Sequence, residues 1–229
     1  MKTVIFLSCQ GGVGKTQIIC SLSSLLADLG RKVAVIDLCS SLLDVGLKTE
    51  YPNIPVYDIT GYPGKLSFYV DKIAAEGTEF SFINGSYVYY SGISIDKIFI
   101  VTTPLRMSLL KTEKLVRRLK KTITDRSVIG VVLNKVGENK SYEYSSFIVE
   151  KILGLPITQQ VPYDPCVIKS EQLAVPLPKF KEKSAALLPL LKLLNHISGI
   201  PIPVNIFKKH SKLHFSLKNN FISKISSVM

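Results

Sequence analysis

The run Gly11-Gly12-Val13-Gly14-Lys15-Thr16 follows directly on the apolar stretch Val4-Ile5-Phe6-Leu7. A buried strand that breaks into glycines and then Lys-Thr is the sequence form of a phosphate-binding loop. Glycine has no Cβ, so the backbone can curl around an anion and aim several N–H groups at it. The amphipathic pattern from Lys15 to about Leu29 predicts a helix whose N-terminal dipole points at the same anion. In such a loop Lys15 bridges the β- and γ-phosphates, and the Thr16 hydroxyl ligates Mg²⁺. The usual pattern opens with a glycine five residues before the Gly-Lys pair, and here that position is Cys9.

The rest of the chain repeats the alternation. Continuous apolar runs at 2–8, 33–37, 80–84, 97–102, 128–133 and 157–161 read as strands covered on both faces. Helical patterns occupy about 15–29, 65–76, 105–123, 142–153 and 183–197. Strand–helix alternation implies right-handed crossovers and a doubly wound, mainly parallel α/β sheet with helices on both faces. Ligand then belongs at the carboxyl ends of the strands, where the glycine loop falls. With 229 residues, 46% of them hydrophobic, the chain suits one large domain. A boundary is expected at Gly199-Ile200-Pro201-Ile202-Pro203, giving a domain over 1–198 and a linker with basic tail over 199–229.

Five segments in this order resemble the MinD/ParA family of deviant Walker A P-loop ATPases. They are the loop Gln10 to Thr16, the strand Val33 to Asp37, the strand Ile98 to Thr103 with Pro104, the segment Val131-Val132-Leu133-Asn134-Lys135, and Leu155-Pro156-Ile157 with Val161-Pro162-Tyr163-Asp164. The stretch Asp37 to Asp58 looks most like the CpaE/TadZ pilus-assembly branch. The resemblance implies a P-loop fold that binds ATP and Mg²⁺ through Gly11, Gly12, Val13, Gly14, Lys15, Thr16 and Gln17. It implies further that Asp37 lies near the metal with Thr16, and that Asn134 pairs with the adenine edge. Pro162 and Asp164 match the loop that lies against the base.

Three positions depart from the family. The second aspartate after strand 2, implicated in orienting the attacking water, is Cys39, and Asp44 stands further along the following loop. A thiol carries no fixed charge at neutral pH. The signature lysine that reaches across an ATP-sandwiched dimer is Gln10, which brings no cation to the developing charge. The Walker B strand Phe80-Ser81-Phe82-Ile83 ends in Asn84-Gly85 where an aspartate is usual, and Asn84-Gly85 also reads as a tight hairpin turn. The short span from Asn84 to Asp96 predicts that the family's helix there is reduced or absent. With Lys15, Asp37 and Gln10 as the catalytic set, slow or absent ATP hydrolysis is expected.

Charge is uneven along the chain. Of the net +12, residues 111–126 hold seven basic side chains against Glu113 and Asp125, and Pro201 to Met229 hold five lysines and no acid. Lys111, Lys114, Arg118 and Lys121 share one helix face, which reads either as a solvated surface or as a nonspecific DNA contact. In the tail, Leu213, Leu217, Phe221, Ile225 and Val228 recur at helical spacing among Lys212, Lys218 and Lys224. Residues 205–229 therefore read either as a basic amphipathic helix on an anionic membrane, as in MinD relatives, or as a last helix packed on the core. Cysteines at 9, 20, 39 and 166 show no CxxC spacing, and His196, His210 and His214 lie far from any cysteine pair. Free thiols in a reducing cytoplasm fit this pattern, and the basic tail is what adds the expectation of a peripheral site at the membrane's inner face. No run of about 18 apolar residues is long enough to span a bilayer, and a strand beginning by Thr3 leaves no room for a signal peptide. The expected function is a nucleotide-dependent, homodimerising positioning switch with a protein partner. The alternatives are a DNA-partition ATPase using the 111–121 helix and a non-catalytic scaffold.

Overall fold

The structure is a computed structural model, and it describes residues 1–40, 47, 50–85, 92–123, 129–180 and 183–202. Asp44, the segment 86–91, Asp125, Arg126 and the amphipathic tail lie outside the described residues.

Among the described residues, seven parallel strands form one sheet: β1 (Lys2–Leu7), β2 (Val33–Asp37), β3 (Val56–Asp58), β4 (Phe80–Gly85), β5 (Lys97–Thr102), β6 (Ile129–Val136) and β7 (Ile157–Pro162). Their spatial order is β3-β2-β4-β1-β5-β6-β7. β4 therefore returns between β2 and β1, pairing Asn84 with both Asp37 and Phe6. Gly85 pairs with Leu7 in the same ladder, so Asn84-Gly85 is the end of an inner strand and not a hairpin turn. The described part of the β4–β5 connection, 92–96, carries no helix.

Strand side chains alternate between faces, and each face has its own helical cover. Val4 and Phe6 belong to one core with α1 (Lys15–Asp28), α6 (Leu177–Phe180) and α7 (Leu187–Ser198). Ile5 and Leu7 belong to the other, with α2 (Leu66–Ala75), α3 (Arg106–Thr122) and α4 (Ser146–Leu153). In the first core Phe6 stacks on Phe99 at 5.6 Å and meets Phe82 edge-on at 5.7 Å. Truncating one such ring to alanine costs about 3–5 kcal/mol.

Among the described residues, α5 (Pro165–Gln172), the short α6 and the strand β3 were not expected from the sequence. Helix α4 starts at Ser146, after a 3₁₀ turn at Lys140–Tyr142, and α7 starts at Leu187. The first strand and last helix are tied together: Lys2 Nζ donates to the carbonyls of Ile197 and Ser198, the latter at 2.7 Å. A cation there satisfies the open carbonyl end of α7. Past that helix Ile202 is buried and its amide donates to Asn195 Oδ1 at 3.0 Å, so the start of the expected linker packs back on the domain.

Candidate functional site

The carboxyl ends of the strands open into a cleft of about 550 Å³. Its floor is residues 8–17, the glycine loop after β1 together with the first turn of α1. Gly12 and Gly14 both take left-handed backbone, at φ 74° and 86°. Gly14 is the N-cap of α1 and supplies no side-chain cap, so the first amides of that helix are left for a ligand. A polyanion fits here, because the fixed partial charges all have one sign.

At one side of the floor stand the ends of β2 and β4. Lys15 is only 8% exposed and its Nζ donates to Asn84 Oδ1, with Cys39 Sγ at 3.4 Å. Burial pushes the Lys15 ammonium below its ordinary pKa, and Cys39 and Asp37 pull it back up in part. Asn84 in turn donates from Nδ2 to Asp37 Oδ1 at 2.8 Å, and the Cys39 amide donates to the same oxygen at 2.9 Å. Asp37 is 1% exposed. Asn84 and Cys39 line the cleft, and Asp37 lies behind them. Ser40, directly after Cys39, is held at φ 49°, a left-handed conformation costly for a side-chain residue.

The opposite side is built by β6, β7 and α5. Asn134 Nδ2 donates to the Val13 carbonyl at 2.8 Å, which clamps the end of β6 onto the glycine loop. Lys135 follows at φ 59°. Pro162, Tyr163 and Asp164 close this side, with Val167, Ile168 and Glu171 of α5 above them. The Asp164 carboxylate caps α5 through the Cys166 amide at 2.8 Å. It also accepts from Ser184 Oγ at 2.6 Å and the Ala185 amide at 2.8 Å. Burial pushes this carboxyl up, but the bonds from Ser184, Cys166 and Ala185 outweigh it and hold the group below the usual range. Asp164 thus lines the cleft while its charge is spent on the head of α5 and on Ser184 and Ala185.

The structure gathers the loop residues, Gln10, Gln17, Asn134, Pro162 and Asp164 around one cleft, and places Asp37 just behind it. Glu171 was missed, because α5 begins at a proline and was not read as a helix. The Asx signal Asp164-Pro165 marks such a start. The residues do not fit a firmly held Mg²⁺. Thr16 is available, but on its side of the cleft the end of β4 presents an amide, half-buried Cys39 presents a thiol, and Asp37 is buried behind them. Among the described residues no three His, Cys, Asp or Glu side chains converge on a metal position.

Comparison with known proteins gives one consistent result. The model of the CobQ/CobB/MinD/ParA nucleotide binding domain matches residues 4–177. An uncharacterized ATP-binding protein of Methanocaldococcus jannaschii is 25% identical over 261 residues, covering 95% of this chain and 92% of its own length. A chain of the MinC:MinD cell division protein complex of Aquifex aeolicus superposes with a TM-score of 0.71 at 21% identity, over 89% of this chain and 98% of that one. The septum site-determining protein MinD of Pyrococcus horikoshii, solved with Mg-ADP, gives a TM-score of 0.71 at 21% identity, over 88% and 98%. The likeness in fold is thus to a nucleotide-binding architecture over nearly its whole length.

Proposed function

Because the chain belongs to the CobQ/CobB/MinD/ParA nucleotide-binding domain family, we propose that it binds ATP and acts as a nucleotide-dependent, homodimerising positioning switch with slow or absent hydrolysis. The observation that carries the base is the clamp of Asn134 on Val13. With Nδ2 committed to a carbonyl, the side chain offers Oδ1 as an acceptor. The exocyclic amine of adenine donates to it, whereas the guanine carbonyl at that position cannot, so Oδ1 favours adenine. Lys15 and the amides at the head of α1 take the phosphates.

Slow turnover follows from what surrounds the terminal phosphate. Phosphoryl transfer draws on positioned cations and a group that orients water. Gln10 is exposed and neutral, Cys39 brings a thiol, and Asn84 brings an amide that is already bonded to Lys15. A protein that holds ATP without consuming it quickly suits a switch, since the bound state lasts long enough to recruit a partner. The cellular places that fit are the pole, a pilus-assembly site or another membrane site, on the inner face of a cytoplasmic membrane. A scaffold with no turnover is the limiting case of the same reading.

The test is ATP binding, turnover and mass on purified full-length protein. ATP should bind more tightly than GTP, the mass should double with ATP, and turnover should stay well under about 1 per second, the low end of ordinary enzyme rates. Cys39→Asp with Gln10→Lys should raise it. Wild-type turnover at ordinary enzyme rates would overturn this account. A second reading has one observation in its favour: Lys111, Lys114, Arg118 and Lys121 are all exposed on α3, whose opposite face buries Leu115, Val116 and Leu119. Nonspecific DNA binding that falls steeply with salt and disappears on charge reversal of that face would support it.

A further inference from the structure

We infer that nucleotide capture by this protein is nearly independent of Mg²⁺, because Asn84 replaces a metal-facing carboxylate and holds Asp37 away from the cleft. The inference rests on the nucleotide reading above and concerns the same site.

Mg²⁺ is a hard ion that demands near-ideal octahedral oxygen ligation, and nucleotide sites usually hold it with one or two carboxylates besides the phosphates. Here the end of β4 presents an amide. Its oxygen is taken by Lys15, and its nitrogen, the positive end of the amide dipole, is directed at Asp37 Oδ1 at 2.8 Å. The Cys39 amide donates to that oxygen as well. The cleft wall on this side therefore shows Asn84 and Cys39, and a thiol is a soft ligand poorly matched to Mg²⁺. A divalent ion placed beside Thr16 would face the Lys15 ammonium, and on that side of the cleft the lining presents Asn84 and Cys39, with the carboxylates of Asp164 and Glu171 on the opposite wall. The polyphosphate has other partners: the loop amides, the head of α1 and Lys15 itself. Those groups are fixed by the fold and need no ion to complete them.

The experiment is calorimetric titration of ADP and ATP into the full-length protein, once with Mg²⁺ and once with excess EDTA. The wild-type dissociation constants should differ by less than about threefold between the two conditions. Asn84→Asp should make affinity depend on Mg²⁺ by tenfold or more, because the carboxylate then faces Lys15 and the ion together. Mn²⁺ paramagnetic resonance gives a readout without turnover: wild-type protein with ADP should hold no more Mn²⁺ than ADP alone, and Asn84→Asp should hold more. Should Asn84→Asp fail to fold, the wild-type titrations still decide. A wild-type affinity that drops tenfold or more in EDTA overturns the inference and leaves the ATP reading standing. No binding of either nucleotide in either condition overturns both.

Discussion

Lys15 sits at 8% exposure with its ammonium held by Asn84 and Cys39, so a phosphate must take it from partners already in place. Charge-assisted hydrogen bonds contribute about 1.5–3 kcal/mol, so Lys15→Ala should weaken ATP binding by roughly 10- to 150-fold. Equal affinities for mutant and wild type in calorimetry would remove Lys15 from the phosphate site. Asp164 makes the opposite kind of contribution, to stability. Its folded-state pKa lies below the ordinary carboxylate value near 3.9. The stability it adds is therefore present above that value and lost as pH falls through the folded pKa. Asp164→Asn should lower the melting temperature at neutral pH, and the gap should narrow as the pH is taken below about 4. A gap that stays constant on acidification would mean that the charge does not matter. These residue roles were unevenly legible. The glycine loop announces itself because its chemistry needs consecutive residues. The double use of Asp164, by α5 and by Ser184, depends on a partner 20 residues away and leaves no local mark.

At the scale of elements, α5 ends in a Schellman motif with an unsuitable residue in it. Ala174 N donates to Glu171 O at 3.0 Å and Val175 N to Ser170 O at 3.0 Å, which forces Ala174 to φ 51°. Helix α1 closes the same way through Gly30 and Arg31, and there the left-handed position is a glycine at φ 72°. Alanine in that region costs about 1–2 kcal/mol, partly offset by the greater chain entropy that glycine loses on folding. Ala174→Gly should thus stabilise by about 0.5–1 kcal/mol in denaturant unfolding with an unchanged m-value; a loss of stability would contradict the assigned cap. Legibility at this scale followed length. The 17 residues of α3 show their buried stripe plainly, whereas the three residues of β3 are too few to carry a period. Helix α5 has only Ser170 buried, so it offers no apolar stripe to read.

For the whole molecule, the parallel doubly wound sheet with helices on both faces was readable because the inner strands are mostly apolar runs, whereas the strand order itself left no mark in the sequence. Where the chain meets other surfaces was not readable either, since a basic amphipathic stripe suits a lipid face and a protein core alike. The reading of residues 205–229 as a membrane-binding helix, against that of a core-packed one, is tested by vesicle co-sedimentation. Each lysine near an anionic surface contributes about 1 kcal/mol, and pairing two tails in an ATP dimer adds avidity of about 10²-fold or more. Pelleting should depend on ATP and on anionic lipid, weaken with salt, and fail in Phe221→Glu; equal pelleting with neutral vesicles would assign the tail to another task. The clamp between Asn134 and Val13 joins positions 121 residues apart, and the closing wall at Pro162 comes later still. At about 5–20 residues per second of synthesis, about 8–30 seconds separate the emergence of the phosphate loop from that of the wall at Pro162. If Asn134 and Pro162 hold the base as proposed, phosphate capture can precede discrimination, and it is preference for one nucleotide over another, not capture alone, that reports the docking of β7.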